Sequence, residues 1–364
     1  VTRALIIGGG LAGGAAAARL AALGQAPLLL EREAAPHDKV CGEFVSVEAV
    51  AHLERLGLDV AGLGGVPIAS VTLHAGRRSA TARLPFVATS VTRRRLDAAL
   101  LDHAARLGTE VRRGVAVRHL AGGRAATAVG EVDAGAVLLA TGKHELRGEG
   151  RDPRGTIAGL IGFKMFFRDW RLAARLAGRV EVTGFAGGYA GLQAVEGDRL
   201  NLCLVVDRER YRQLGGSWPA LFAALLAEPG LAALGDAEAL LARPLAIGAI
   251  PYGYLAAPGD AIWRLGDQAA VIPSFCGDGM AMAVHGGRLA ADMLAAGADA
   301  ASFQAQLRRD VARPVRLATA LQRLAGTALG RFALVAGLGA LPAALTTLAR
   351  WTRVEPKALA RIGV

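Results

Sequence analysis

A glycine-rich turn at the start of the chain constrains the fold more than any other feature. Residues 4–7 are a short apolar run, read as a buried strand. Gly8-Gly9-Gly10-Leu11-Ala12-Gly13 then matches G-x-G-x-x-G, residues 15–23 read as a helix stopped by Gly24, and residues 28–30 read as a second strand ending at Glu31. The six-residue pattern alone is a weak signal. Set between a strand and a helix, and followed by an acid at the next strand end, it specifies a βαβ unit that grips a dinucleotide. Gly8 permits the sharp turn, Gly10 leaves room for a pyrophosphate, and Gly13 lets helix and strand pack closely. The helix start at Leu11 and Ala12 offers free N–H groups and a partial positive charge to phosphate. Glu31 stands where a carboxylate accepts ribose hydroxyls and disfavours a ribose 2′-phosphate, and Arg32 is taken with it as a cofactor residue.

At 364 residues the chain has length for roughly two to three domains, and its 53% hydrophobic content can fill a large core. Helices are expected over 47–56 and 93–107, with one apolar face each. Residues 71–84 alternate as strands do, and further strands are expected around 111–117, 125–132 and 136–140. From 151 to 250 the texture changes to strand-like stretches (161–167, 179–183, 189–195, 200–206) interrupted by a helix over 218–227. A buried strand over 261–265 and a helix over 280–295 follow. The expected fold is α/β. Residues 1–70, 90–150 and 255–300 form a discontinuous Rossmann-like nucleotide-binding domain. Residues 71–89 and 151–254 form an inserted mixed-sheet substrate domain, and 301–364 a C-terminal helical region.

The net charge of +11 invites a nucleic-acid reading. The arginines are scattered, however, with one tight run at Arg93-Arg94-Arg95 and no interleaved aromatic platform, so no nucleic-acid partner is expected. Such a surface suits anionic cofactors, acidic carrier proteins or anionic lipid heads. Cys41, Cys203 and Cys276 are too widely spaced for a metal pattern or a disulfide framework, so no metal is expected and a cytoplasmic, reducing location fits. The N-terminus enters a strand at once, without a basic-then-apolar signal segment. Residues 332–349 carry no charge, but Gly337, Gly339 and Pro342 interrupt them and Arg331 and Arg350 bracket them. A buried helical hairpin is one reading, and peripheral membrane contact through the C-terminal helices the other.

The first turn does not choose between NAD and FAD. Downstream, Trp263-Arg264-Leu265-Gly266-Asp267 ends a strand in Gly-Asp, Pro273 follows, and Gly277-Asp278-Gly279-Met280 opens a helix. This resembles the flavin-binding segment of the class A flavoprotein monooxygenases and the related geranylgeranyl reductases. The resemblance implies a glutathione-reductase-like FAD-binding domain. Asp267, with Gly266, would hold the ribityl chain, and the segment from Pro273 to Met280 would lay N–H groups and a helix start beside the pyrimidine end of the flavin. A positive helix end there stabilises the anionic reduced flavin. Lys39-Val40-Cys41-Gly42-Glu43 looks like the segment of the geranylgeranyl reductase branch that runs past the flavin, which adds Cys41 and Gly42. Arg93 looks like an arginine that opens a helix and contacts the cofactor, with Arg94 and Arg95 as rivals. Val115 and Ala116 fall where backbone groups meet the adenine, and Thr141-Gly142 resembles the strand-end turn of the nucleotide domain.

The chain also departs from these families. Thr141-Gly142-Lys143-His144 replaces the Asp-Gly motif of aromatic hydroxylases. That counts against NADH or NADPH as a transient donor by the usual route and leaves room for a separate flavin reductase. The Trp-x-Trp-x-x-Pro signature of flavin halogenases is absent. So is a second dinucleotide fingerprint.

Two chemistries stay open. Reduced flavin can activate dioxygen to hydroxylate or epoxidise a substrate, or it can exchange hydride with an alkene. Cys41 and Cys276 map near the flavin ring, as proton donors or as small packing residues. His144 reads as an acid or base, or as a surface turn residue; His285 reads rather as a packing histidine. Lys164, on the apolar strand 162–167, either anchors an anionic substrate at a cavity edge or faces solvent. Tyr252 and Tyr254 fall where the resembling families place aromatics above the flavin. The inserted domain is poor in charged constellations and suits a polyketide, phenolic or isoprenoid-type substrate, free or on an acyl carrier. The expected function is a monooxygenase of secondary metabolism. The alternatives are an alkene (geranylgeranyl-type) reductase or dehydrogenase, and a non-enzymatic flavin-binding redox sensor.

Overall fold

The computed structural model describes residues 3–121, 124–259, 261–327, 329–330, 332–333, 336–337, 347, 350–361 and 363. The elements begin with β1 (Ala4–Ile7), α1 (Leu11–Ala22), β2 (Leu28–Glu31), β3 (Phe44–Val45), α2 (Val47–Arg55), β4 (Val66–Ala75), β5 (Arg78–Ser90) and α3 (Arg93–Arg106). Next come β6 (Glu110–Arg113), β7 (Val117–Ala121), β8 (Arg124–Thr127), β9 (Gly130–Asp133), β10 (Ala136–Leu139), β11 (Leu160–Arg168), α4 (Trp170–Arg175) and β12 (Gly178–Phe185). The chain continues through β13 (Gly188–Val195), β14 (Arg199–Asp207), α5 (Arg208–Gln213), α6 (Trp218–Leu226), β15 (Glu238–Ala239) and β16 (Leu245–Gly248). It closes with β17 (Trp263–Arg264), α7 (Gly279–Ala295), α8 (Ala300–Ala325) and α9 (Pro356–Arg361).

The fold is α/β, with a Rossmann-like parallel sheet, a separate mixed sheet and C-terminal helices. The parallel sheet runs β17-β10-β1-β2-β6. Its three central strands, β10, β1 and β2, are short apolar runs because both faces are covered. Ile6, Leu29 and Leu138 turn to the face held by α1, α3 and α7. Leu5, Ile7, Leu28, Leu30 and Leu139 turn to the other face, where Ala125, Val117, Leu120 and Val132 of the β7-β8-β9 meander cover them. This meander corrects the two single strands expected over 111–117 and 125–132. Gly114, in the left-handed region (φ 75°), ends β6, and a turn at Ala128-Val129 separates β8 from β9.

Helix α1 is unusually poor in side-chain bulk: Ala15, Ala16, Ala17 and Ala18 are all fully buried. The lack of bulk lets α7 approach closely. A Cβ on Gly287 would collide with the Ala12 carbonyl and lie 3.0 Å from Ala16 N. The contact fixes the start of α7 relative to the start of α1, and those two ends define the site.

The mixed sheet runs β15-β11-β14-β13-β12-β4-β5-β3, with β16 also on β11. Its membership begins earlier in the chain than residue 71, since β3 and the start of β4 belong to it. Phe163, Met165, Phe167, Leu192, Leu202 and Leu204 face α4 and α6 across an apolar core. The strand expected over 261–265 is only two residues long, paired to β10. In α8, Phe303, Leu307, Val311 and Val315 form the buried stripe, and Phe303 stacks on Trp263. The uncharged stretch 332–349 lies mostly outside the described residues. Among the described residues no helix is long and apolar enough to cross a membrane.

Candidate active site

The first turn leaves β1 in a conformation that glycine alone tolerates well. Gly8 has φ 108°, and a Cβ there would overlap the Ala140 carbonyl. A Cβ on Gly13 would collide with the Gly8 carbonyl, so strand and helix touch at that point. Gly10 opens α1 without a side-chain cap and without an acid in the first turn. The helix start therefore keeps its orphan N–H groups and its positive end free for an anion. Glu31 turns inward, its Oε2 accepting the Gly9 N–H at 2.7 Å and its Oε1 the Glu33 N–H at 2.9 Å.

Two cations face this helix start. A Cβ on Gly10 would lie 3.4 Å from Arg93 Nη2 and 3.7 Å from Lys39 Nζ. Both are aimed by one carboxylate: Asp97 Oδ1 accepts from Arg93 Nε at 2.8 Å and Asp97 Oδ2 from Lys39 Nζ at 2.8 Å. Burial raises the Asp97 pKa, but Arg93 and Lys39 outweigh it and hold the group below the usual carboxylate range. The geometry chooses among the three arginines. Arg93 reaches the cavity, Arg95 donates to the Leu63 carbonyl at 2.7 Å, and Arg94 is exposed beside Asp38.

On the far side, Gly266 packs against α1, where a Cβ would meet Ala12 Cβ at 3.0 Å. Asp267 Oδ2 pairs with Lys143 Nζ at 3.0 Å, and this pairing outweighs burial and lowers the Asp267 pKa. Gln268 was not anticipated. It donates to the Gly142 and His144 carbonyls at 2.8 and 3.0 Å and fixes the Thr141–His144 turn. The start of α7 also lacks a side-chain cap. Its Asp278 turns away from the cavity, accepting from Val354 N–H at 3.1 Å and pairing with Arg353 at 3.5 Å.

These parts enclose one cavity of about 490 Å³. Its nucleotide half is lined by Gly8, Gly10, Leu11, Ala12, Glu31, Arg32, Arg93, Val115, Ala116, Thr141, Gly142, Gly266 and Asp267. Cys41, Gly42, Gly277, Gly279 and Met280 continue the wall. Three of the expected cofactor residues lie outside the lining: Gly13, beneath the turn; Pro273, which caps the 3₁₀ turn Ser274–Cys276; and Asp278.

A dinucleotide fits this cradle. Two helix starts with free N–H groups face one space, Arg93, Lys39 and Lys143 supply positive charge, and no Cβ fills the approach at Gly10. Residues 1–136 match the model of a family described as FAD binding domain. The cofactor is FAD. No curated protein matches the sequence. Among solved structures, the flavin-dependent brominase Bmp2 is 18% identical, with 99% of this chain and 97% of that one covered at a TM-score of 0.79. Halogenase PltM in complex with phloroglucinol and FAD is 14% identical (99% and 90% covered, TM-score 0.76). PqsL from P. aeruginosa, in complex with 2-aminobenzoylacetate, is 17% identical (92% and 99% covered, TM-score 0.71). At these identities the likeness shows the fold.

In this FAD-binding frame Lys164 needs correction. It faces neither the cavity nor solvent: its side chain is fully buried and paired with Glu43 Oε1. Its strand position, opposite Cys203 in β14 and Leu245 in β16, points it beneath the 41–43 segment. Glu43, which the sequence reading quoted but did not single out, is the partner. It sits at φ 58°, a region costly for a non-glycine residue, and also accepts the Arg93 N–H at 3.1 Å. Burial outweighs Lys164 and raises its pKa to about 7.

His144 Nε2 lies 3.0 Å from Arg32 Nη2, at the nucleotide end of the cavity beside Glu31. Burial and Arg32 push its pKa down, so it is neutral at neutral pH. Cys41 lines the cavity, its Sγ accepting the Glu43 N–H at 3.4 Å. Cys276 does not line it, whereas Cys203 does, with burial pushing its thiol up to about 12. His285 is buried 3.0 Å from Asp310, a packing role. Tyr252 lines the cavity, while Tyr254 is buried in a neighbouring apolar cluster.

Proposed function

We propose that the chain is an FAD-dependent monooxygenase that hydroxylates or epoxidises a hydrophobic polyketide, phenolic or isoprenoid-type substrate. One observation carries this reading. The cavity that begins at the first glycine turn continues without a partition to apolar walls from the mixed sheet and the segment after it, formed by Val205, Ala246, Ile247 and Ile250. Cofactor cradle and apolar chamber share one enclosure. The bound FAD supplies the redox chemistry, and the chain supplies position, electrostatics and exclusion of water. The α1 start, Arg93 and Lys39 would hold the pyrophosphate, and Asp267 the ribityl hydroxyls. The N–H groups at the start of α7 would face the pyrimidine end and favour negative charge there.

The fold is shared with a brominase, a halogenase and PqsL, but the sequence lacks Trp-x-Trp-x-x-Pro, so we assign oxygenation rather than halogenation. Lys143 and His144 stand in place of an Asp-Gly pair, which favours an external flavin reductase over direct NADH or NADPH use. The +11 charge suits an acidic carrier or reductase as partner, and the free Cys41, Cys203 and Cys276 suit a reducing, cytoplasmic setting. Cys41 on the cavity wall favours a second reading, alkene reduction with the thiol as proton donor.

One experiment separates them. The purified protein, yellow with FAD, is reduced anaerobically by NADH, by NADPH or by an external reductase, then exposed to labelled dioxygen with candidate aromatic and prenyl substrates. Label in an organic product supports oxygenation. Reoxidation only by an alkene or quinone, without label, overturns it in favour of reduction. Turnover of neither leaves a redox sensor.

A further inference from the structure

Three hydroxyls from distant parts of the chain meet where the mixed sheet touches the turn before α7. Tyr189 comes from β13, Tyr252 from the segment after β16, and Ser274 from the 3₁₀ turn. Ser274 Oγ lies 2.6 Å from the Tyr189 hydroxyl and 2.6 Å from the Tyr252 hydroxyl. The two tyrosine oxygens are 3.4 Å apart, longer than the roughly 2.5–3.0 Å of a good O–H···O bond. Tyr252 and Ser274 line the cavity, and Ser274 is exposed to it.

The hydrogen count decides what this cluster needs. Three hydroxyls carry three protons, and two short contacts consume two of them. In every arrangement one proton is left without a short acceptor inside the cluster. When both tyrosines donate to Ser274, the serine proton is the free one, and it is strengthened by the two bonds behind it. Burial raises the pKa of both tyrosines, so they stay neutral donors across the working range. Lys143 lines the same cavity and adds positive charge.

We infer that Tyr189, Tyr252 and Ser274 form a subsite that binds an acceptor oxygen of the substrate, a carbonyl or phenolate. Resting on the reading that substrate enters this cavity, the inference adds a polar requirement that apolar walls alone do not impose. A hydrocarbon that displaces solvent from Ser274 would leave the spare proton unpaired, and that loss supplies discrimination.

The test uses acetophenone and ethylbenzene, which differ in one carbonyl, titrated into the FAD-loaded protein and followed by the flavin absorption band. The ratio of their dissociation constants cancels the general preference for apolar surface. Each single variant still leaves a spare proton in the cluster, so the test is the double variant Tyr252→Phe/Ser274→Ala, which removes both hydroxyls that line the cavity. In it that ratio shifts against acetophenone by at least about fivefold relative to wild type, the scale of one neutral hydrogen bond. A merely structural role would weaken both probes together and leave the ratio in place. A ratio unchanged within about twofold in the double variant, or FAD-loaded wild type that binds neither probe, overturns the inference. The flavin band itself reports on the earlier reading, since a preparation that takes up no FAD fails that reading independently of the probes.

Discussion

Lys164 Nζ and Glu43 Oε1 meet across 121 residues of sequence, with neither side chain reaching solvent. The pair ties β11 of the mixed sheet to the loop that carries Cys41 past the cavity. Glu43 Oε2 has no partner among the described residues, so the ion pair is only half satisfied. Half-satisfied buried pairs are costly to break and are not themselves a source of large net stability.

Removing one partner should therefore cost far more than removing both. At pH 8, Lys164→Met is expected to lose about 3–5 kcal/mol, whereas Glu43→Gln/Lys164→Met recovers most of that loss. Urea denaturation of wild type, both singles and the double mutant gives the coupling. Additive effects would show that the two groups do not act as a pair.

The same carboxyl shapes the pH dependence of stability. Its folded pKa is about 7 against an ordinary 4.5, so the folded state holds this proton more tightly than the unfolded chain does. The associated stability is complete below the unfolded value, falls as pH rises toward the folded one and is gone above it. Asp278, raised by burial to about 7 despite Arg353, acts in the same direction. Asp97 and Asp267 are shifted downward and act only at lower pH. His52 and His144, whose pKa values burial pushes down, act in the opposite direction below the ordinary imidazole value, so the difference between proteins carries the assignment. From about pH 5 to 7 wild type should lose stability relative to Glu43→Gln. Superimposable denaturation midpoints of wild type and variant across this range would contradict the assignment.

The parallel sheet and its glycine turn were legible because they obey local rules. A strand buried on both faces must read as an apolar run, and the turn from Gly8 to Gly13 needs glycine for reasons of backbone shape alone. The strands of the mixed sheet showed through their length and β-branched or aromatic content. What stayed hidden depends on contacts distant in sequence. Nothing local to Lys164 says that Glu43 lies beneath it, and nothing in Gln268 marks it as the support of the 141–144 turn. The resemblance that suggested Asp278 as a cofactor residue cannot reveal that Val354 and Arg353 engage its side chain. The partner of Lys164 did leave a trace, since Glu43 ends the Lys39–Glu43 segment, but sequence alone could not separate a wall residue from a ligand.

Arg93 and Arg94 are adjacent and identical in type, yet only the first faces Gly10. Arg93→Ala should weaken FAD binding by about ten- to a hundredfold, the range for losing a charge-assisted hydrogen bond to phosphate. Arg94→Ala should change it less than about twofold, as an exposed charge screened by solvent. Both constants follow from titrating apoprotein with FAD by fluorescence quenching. Equal losses at the two positions would mean that the cations act through general field rather than contact.

Gly286 and Gly287 give the most local test of the scaffold. They are neighbours in α7, both buried, and helix propensity predicts that alanine should improve either by up to about 1 kcal/mol. Packing separates them. A Cβ on Gly286 meets Leu307 Cδ2 at 3.4 Å and Cδ1 at 3.5 Å, an ordinary contact with a side chain that can adjust. A Cβ on Gly287 strikes the backbone of Ala12 and Ala16, which cannot move without shifting the start of α1. Gly286→Ala should leave Tm and FAD affinity unchanged or slightly improved. Gly287→Ala should lose about 1–3 kcal/mol by overpacking and also weaken FAD, because Ala12 belongs to the helix turn that faces the pyrophosphate. The two effects should appear together, as a lower Tm of the apoprotein and a smaller rise in Tm on adding FAD. A Gly287→Ala protein that loses stability yet keeps wild-type FAD affinity would show that the approach of α7 holds the fold together without setting the cofactor site.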